Sequence, residues 1–199
     1  IYNCSVTEKV TMQFDKCRCN CFSCNRCGNC FTCRGRCGTG PLAQTLEPSG
    51  GSRFLRDISL DYSMVSPEYG TYCTILKTDN GVPTSATILN GIIGRKFLTA
   101  TQMAGGGMKK YIFDDPIYLQ NETYAIMSSG EDGFNMNSIE EVAAGRDIRC
   151  KVAKLGGIDK TTGVTVGAQP FKDGLMFRSL TGITWEQDQK TDMKFQATF

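Results

Sequence analysis

Eight cysteines fall between Cys17 and Cys37: Cys17, Cys19, Cys21, Cys24, Cys27, Cys30, Cys33 and Cys37. Core packing does not produce such density; thiolate chemistry does. Zn²⁺ and iron–sulfur clusters take four thiolates each, so this set could fill two such sites. C-x-C and C-x₂-C spacings bring two sulfurs to one ion from a single turn of chain. Cys27, Cys30, Cys33 and Cys37 follow the ferredoxin-type C-x₂-C-x₂-C-x₃-C run, with Gly38 where a Pro usually follows. Lys16, Arg18, Arg26, Arg34 and Arg36, set against Asp15 alone, would offset the negative charge of such a cluster.

Two other chemistries fit the same residues. In an oxidising exterior the sulfurs would pair as disulfides. A C-x-C ring strains disulfide geometry, so pairing would have to cross a fold-back or another chain. From Cys21 to Cys33 the period is three, that of an extended backbone with three residues per turn. That backbone would line the sulfurs along one side, toward neighbouring chains. The total of 11 cysteines leaves at least one thiol unpaired within the chain.

The sequence also excludes chemistry. It contains no His, which removes imidazole base catalysis, Ser-His and Cys-His pairs, and His-containing metal sites. A redox C-x-x-C belongs at a helix N-terminus in a thioredoxin-like unit, and no such pattern is present. Arginines beside Phe22 and Phe31 suggest a zinc knuckle, but without His no nucleic-acid partner is expected. The net charge of +2 points the same way. No apolar run reaches the ~18 residues of a membrane helix, so no membrane partner is expected.

Composition changes at Gly38-Thr39-Gly40-Pro41, dividing a Cys-rich connector (1–40) from a β-sandwich domain (41–199). The second part reads as short strands separated by turns. Strands are expected over Ser52–Val65, Thr71–Thr78, Tyr111–Asp114, Ile117–Leu119, Thr123–Met127, Arg149–Leu155, Val164–Val166, Leu175–Arg178 and Met193–Phe199. Asp79-Asn80-Gly81 is a hairpin turn signal. Turn signals recur at the spacing of an antiparallel sandwich. The fold class is therefore mainly β, preceded by a short irregular segment. Ser138–Ala144, with Ser138 and Glu141 in capping-box positions, is the one helix candidate. Gly105-Gly106-Gly107 reads as a tight loop.

Trp185 is the only Trp and stands near Glu186, Asp188 and Asp192. A strand aromatic usually packs in a core. Exposed beside acids, the same ring would stack on a sugar, which makes a carbohydrate-binding sandwich the alternative function. A metal-storage or redox role for the Cys segment is a third.

Four stretches together carry a resemblance: Gly40-Pro41-Leu42-Ala43-Gln44-Thr45, Tyr111–Tyr124, Gly167-Ala168-Gln169-Pro170-Phe171 and Ile183–Phe199. In order and spacing they are similar to β-domains of structural proteins in tailed-bacteriophage virions, above all contractile-tail phages with complex baseplates. The resemblance implies a jelly-roll-like sandwich and a non-enzymatic baseplate, tail-fibre or attachment component. Its location would be the virion, assembled in the bacterial cytoplasm. Its partners would be other virion subunits or copies of itself in a large assembly. The carbohydrate alternative would then serve host-surface attachment.

Overall fold

The computed structural model describes residues 8–9, 40–48, 50–85, 91–131, 148–159, 163–168, 171–179 and 182–199. The eight cysteines from Cys17 to Cys37 and the helix candidate Ser138–Ala144 lie outside them. Within them the chain is a two-sheet antiparallel β-sandwich.

The strands are β1 (Glu8–Lys9), β2 (Leu42–Leu46), β3 (Arg53–Met64), β4 (Thr71–Asp79), β5 (Val82–Pro83), β6 (Ile92–Leu98) and β7 (Gly107–Leu119). They continue as β8 (Tyr124–Gly130), β9 (Arg149–Lys154), β10 (Met176–Arg178), β11 (Glu186–Asp188), β12 (Thr191–Met193) and β13 (Phe195–Thr198). One sheet runs β1-β9-β3-β13, with β12 on β9 and β7 on β3. The other runs β11-β10-β2-β8-β4-β5, with β6 on β4.

Alternation decides which side chains enter the sandwich. Ile58, Leu60 and Tyr62 of β3 face inward, and across the gap so do Thr71, Cys73 and Ile75 of β4 and Ile126 and Ser128 of β8. Leu42, Leu46, Met176 and Phe195 complete the interior, where the Phe195 ring meets Phe171 edge-on at 5.3 Å. The seven-stranded sheet buries its other face as well. Ala43, Leu76, Ala125, Met127 and Phe177 form a second apolar cluster there, overlain by Ile92, Leu175 and Trp185.

The turns follow residue chemistry. Asn80 (φ 51°) and Gly81 (φ 78°) both occupy the left-handed region, as the two central residues of a type I′ hairpin must, and they join β4 to β5. Tyr111–Asp114 and Ile117–Leu119 are expected as separate strands but form one strand, β7, with an excursion between them. Between the pairs Leu55–Ile117 and Asp57–Ile112, β7 inserts Phe113 to Pro116 where β3 has Arg56 alone. Pro116 has no N–H for a ladder, so a bulge is where a strand can hold it. Val164–Val166 is no strand; Thr165 makes only an isolated bridge to Ile158. A short helix, α1 (Ala100–Met103), stands where none is expected. Thr99 caps it, and Thr99 and Gln102 each bond the other's backbone N–H in a capping box.

The last strands tie the molecule together. β9 and β3 pair at Cys150–Tyr62 and then diverge, and the chain from Thr191 to Thr198 fills the fork. Lys194 is the crossover: its N–H donates to the Lys151 carbonyl and its carbonyl accepts from the Asp61 N–H.

Candidate functional site

Ser128, Tyr62, Tyr111, Thr71 and Met103 form one polar chain across the two sheets. Ser128 Oγ lies 2.9 Å from Tyr62 Oη, which lies 2.8 Å from Tyr111 Oη, which lies 2.6 Å from Thr71 Oγ1. Thr71 Oγ1 donates to Met103 Sδ at 3.1 Å. A thioether only accepts, and Tyr111 Oη also donates to Met103 Sδ, at 3.7 Å, so the chain of hydroxyls ends on sulfur by two routes. Burying hydroxyls is tolerated because each finds a partner. The capped helix α1 is what places Met103 at the end of this relay.

Cys73 and Cys150 flank it, one from each sheet, and both are buried free thiols. Cys73 stands opposite Ser128 on β8, and Cys150 opposite Tyr62 on β3. Burial pushes Cys150 up to about 12; a hydrogen bond with Ser128 opposes this, and the Asp61 charge adds to it. Burial and then the neighbouring Cys150 raise Cys73 further. Burial likewise carries Tyr62 and Tyr111 well above the usual phenol range. These groups stay protonated at any physiological pH, and burial keeps them from any reactant.

The outer face of the six-stranded sheet carries charge. Asp61 is buried between Lys151 Nζ at 2.8 Å and Lys194 Nζ at 3.0 Å. Asp57 accepts from Lys110 Nζ at 3.1 Å and from Thr198 Oγ1 at 2.9 Å. Beyond the β7 excursion the face turns aromatic. Phe54 and Tyr118 are directly paired across β3 and β7, with ring centres 5.2 Å apart and planes inclined by 49°. They are 58% and 53% exposed, and Ile112 on the same face is 59% exposed. Phe54, Arg56, Pro116 and Phe199 line an open cleft of about 390 Å³. The Arg53 guanidinium sits 5.7 Å from the centre of the Phe199 ring. A second aromatic group, Tyr72 and Phe97 with ring centres 4.6 Å apart, lies under Arg95 on the other sheet.

Trp185 is half-buried on the outer cluster of the seven-stranded sheet, not between the sheets, and its Nε1 has no hydrogen-bond partner. The acids near it in sequence do not gather around it as a set. Glu186 is exposed, Asp188 pairs with Arg178 at 2.7 Å, and Asp192 is fully buried. Asp192 accepts from Gln44 Nε2 at 3.3 Å and from the Phe171 N–H at 3.2 Å. Among the described residues no three Cys, Asp or Glu side chains converge as metal ligands would.

Sequence reading did not single out Phe54, Arg56, Ile112 or Tyr118. Alternation hides them: Phe54 shares the parity of the inward-facing Ile58, Leu60 and Tyr62, and only the register shift at Arg56 turns it outward, with Pro116 the one mark of the excursion beside it. Comparison with family models, with curated proteins and with solved structures returned no match.

Proposed function

We propose that the chain is a non-enzymatic structural and interaction component of a bacteriophage tail or baseplate. It resides in the virion and assembles with other virion subunits in the bacterial cytoplasm. The observation that supports this reading most is the use made of its reactive side chains. Tyr62, Tyr111, Cys73 and Cys150 are all buried between the sheets, with raised proton affinities, and the tyrosines are hydrogen-bonded across the gap. Groups spent in this way fasten a scaffold. The ordered resemblance over most of residues 40–199, the stretch 130–145 excepted, is the second support.

In this reading the segment Cys17–Cys37 is a connector to a neighbouring subunit or to another part of the same polypeptide. It holds zinc or an iron–sulfur cluster through its thiolates, or it closes disulfides. Antibody against the chain should decorate the tails of purified particles; particles that lack the chain overturn the proposal. Elemental analysis with thiol titration in denaturant, on anaerobically purified protein, separates the two connector chemistries. About one or two zinc ions or an iron cluster per chain identifies the metal form. Absence of metal with few free thiols identifies the disulfide form.

A further inference from the structure

We propose that the cleft at the β7 excursion binds an acidic saccharide, a pyranose ring carrying a carboxylate. Three features of the outer face lead there.

The first is the aromatic surface. Phe54 and Tyr118 leave more than half of their area in water, side by side, although other strand aromatics such as Tyr111 and Phe195 are buried. Exposed aromatic area that is contiguous marks a contact surface. Two inclined rings at 5.2 Å offer flat apolar faces of the size of a sugar's C–H face.

The second feature is charge. Arg53 and Arg56 are exposed beside these rings, and among the described residues neither has a carboxylate partner. Of the nearby acids, Asp57 is held by Lys110 and Thr198 and Asp114 by Lys96, while Asp115, beside Pro116 in the excursion, is exposed and makes no ion pair with either arginine. Two unpaired guanidinium groups, Arg56 in the lining and Arg53 beside it, thus stand against the single unpaired carboxylate of Asp115, and the planar guanidinium fork matches a carboxylate in two parallel hydrogen bonds.

The third is shape. The cleft holds about 390 Å³ and is open to solvent. A lipid or other apolar ligand seeks near-complete burial, which this cleft does not provide. A hydroxylated ring keeps its outer edge hydrated and loses nothing by it. Guanidinium forks take phosphate as well as carboxylate, so equal binding of inorganic phosphate would overturn the carboxylate assignment.

The test uses the whole chain and calorimetric titration with four probes. They are oligosaccharides bearing hexuronic or nonulosonic acids, their neutral hexose counterparts, a glutamate oligopeptide of matched charge, and inorganic phosphate. At least one acidic oligosaccharide should bind, with the neutral counterpart and the peptide each weaker by about tenfold or more. Changing Phe54 and Tyr118 together to Ala should weaken the acidic ligand by about tenfold while leaving the thermal transition in place, since both side chains are largely exposed. Arg56→Gln, at an exposed position, should erase the preference for acid over neutral sugar. Failure of every acidic oligosaccharide to bind overturns the proposal. So does equal binding of the neutral sugars, and so does equal binding of the glutamate peptide, which would assign the cleft to an acidic protein partner. Binding that survives both variants also overturns it, because the ligand would then sit elsewhere.

Discussion

Tyr62 links the two sheets through the interior. Its ring fills core space, and its hydroxyl bonds Ser128 on the facing sheet and Tyr111 on its own. Tyr62→Phe keeps the ring but interrupts the proton relay, leaving Ser128 and Tyr111 each with one partner fewer. The expected loss is about 1–2 kcal/mol, read from urea unfolding, with the slope of the transition unchanged. Titration of the thiols supplies a second residue-scale prediction. The Cys150 thiol has an ordinary value of 9.0 and is raised to about 12 in the fold, so the folded state holds a proton that the unfolded chain releases. The sign follows: above pH 9.0 the unfolded state binds fewer protons, and stability falls as pH rises. The contribution is complete below 9.0 and is lost by about 12. Urea midpoints measured from pH 8 to 11 should decline in the native protein. In Cys150→Ala the decline should be shallower, by up to about 1.4 kcal/mol per pH unit for the one proton removed. Equal slopes in the two proteins would refute the assignment.

At the scale of the element, close backbone approach governs how β10 meets β2. Gly174 precedes β10, and a Cβ added there would fall 1.8 Å from the Thr45 carbonyl oxygen and 2.6 Å from the Phe171 ring. The same approach allows Thr45 N–H to donate to the Leu175 carbonyl at 2.9 Å and the Leu175 N–H to donate to Thr45 Oγ1 at 2.8 Å. Neither obstacle is the free end of a flexible side chain, so the strands must separate. Gly174→Ala should cost about 3 kcal/mol or more, whereas Gly81→Ala, with open space at its Cβ, should cost only the strain of its φ of 78°, about 1 kcal/mol. Comparative thermal unfolding of the two variants checks the ordering. Elements of this kind were only partly legible in the sequence. β3, β4 and the Asn80-Gly81 hairpin were, because alternation and turn chemistry are local. The excursion in β7 was half legible: Asp114-Asp115-Pro116 signalled a kink but not that pairing resumes beyond it. Helix α1 carried the Thr99-x-x-Gln102 signature, yet four residues give no periodicity to draw attention to it. Trp185 could not be placed at all, because a sheet with two buried faces offers an aromatic two apolar surfaces.

The sandwich depends on contacts between strands far apart along the chain. Gln44 of β2 accepts from the Met193 N–H at 3.0 Å and donates to Asp192, and Asp57 of β3 meets Thr198. These partners stand some 140 to 150 positions apart along the chain, separations of 149, 148 and 141 residues. Alternation reveals which residues point inward but not which distant strand receives them, so the fork between β9 and β3 could not be foreseen. Its energetic weight follows from what fills it. Phe195 and Met193 are buried in the interior, Asp192 satisfies Gln44, and Lys194 closes both backbone ladders and reaches Asp61. Without residues 191–199, Asp61 loses one of its two lysines, the Gln44 side chain keeps only its bond to the Thr45 carbonyl, and the inner face of β3 opens to water. The unmet amide oxygen costs about 1–3 kcal/mol, and each buried Phe or Met adds about 1.5–3 kcal/mol. The sum, about 4–9 kcal/mol, reaches the lower part of the ~5–15 kcal/mol that holds an ordinary domain folded. A chain ending at Lys190 should therefore show no cooperative thermal transition by calorimetry and no near-ultraviolet dichroism. A chain ending at Thr198, which loses only the half-buried Phe199, should keep both. If the shorter chain still melts cooperatively, the fork is not what holds the two sheets together, and the apolar interior between them suffices.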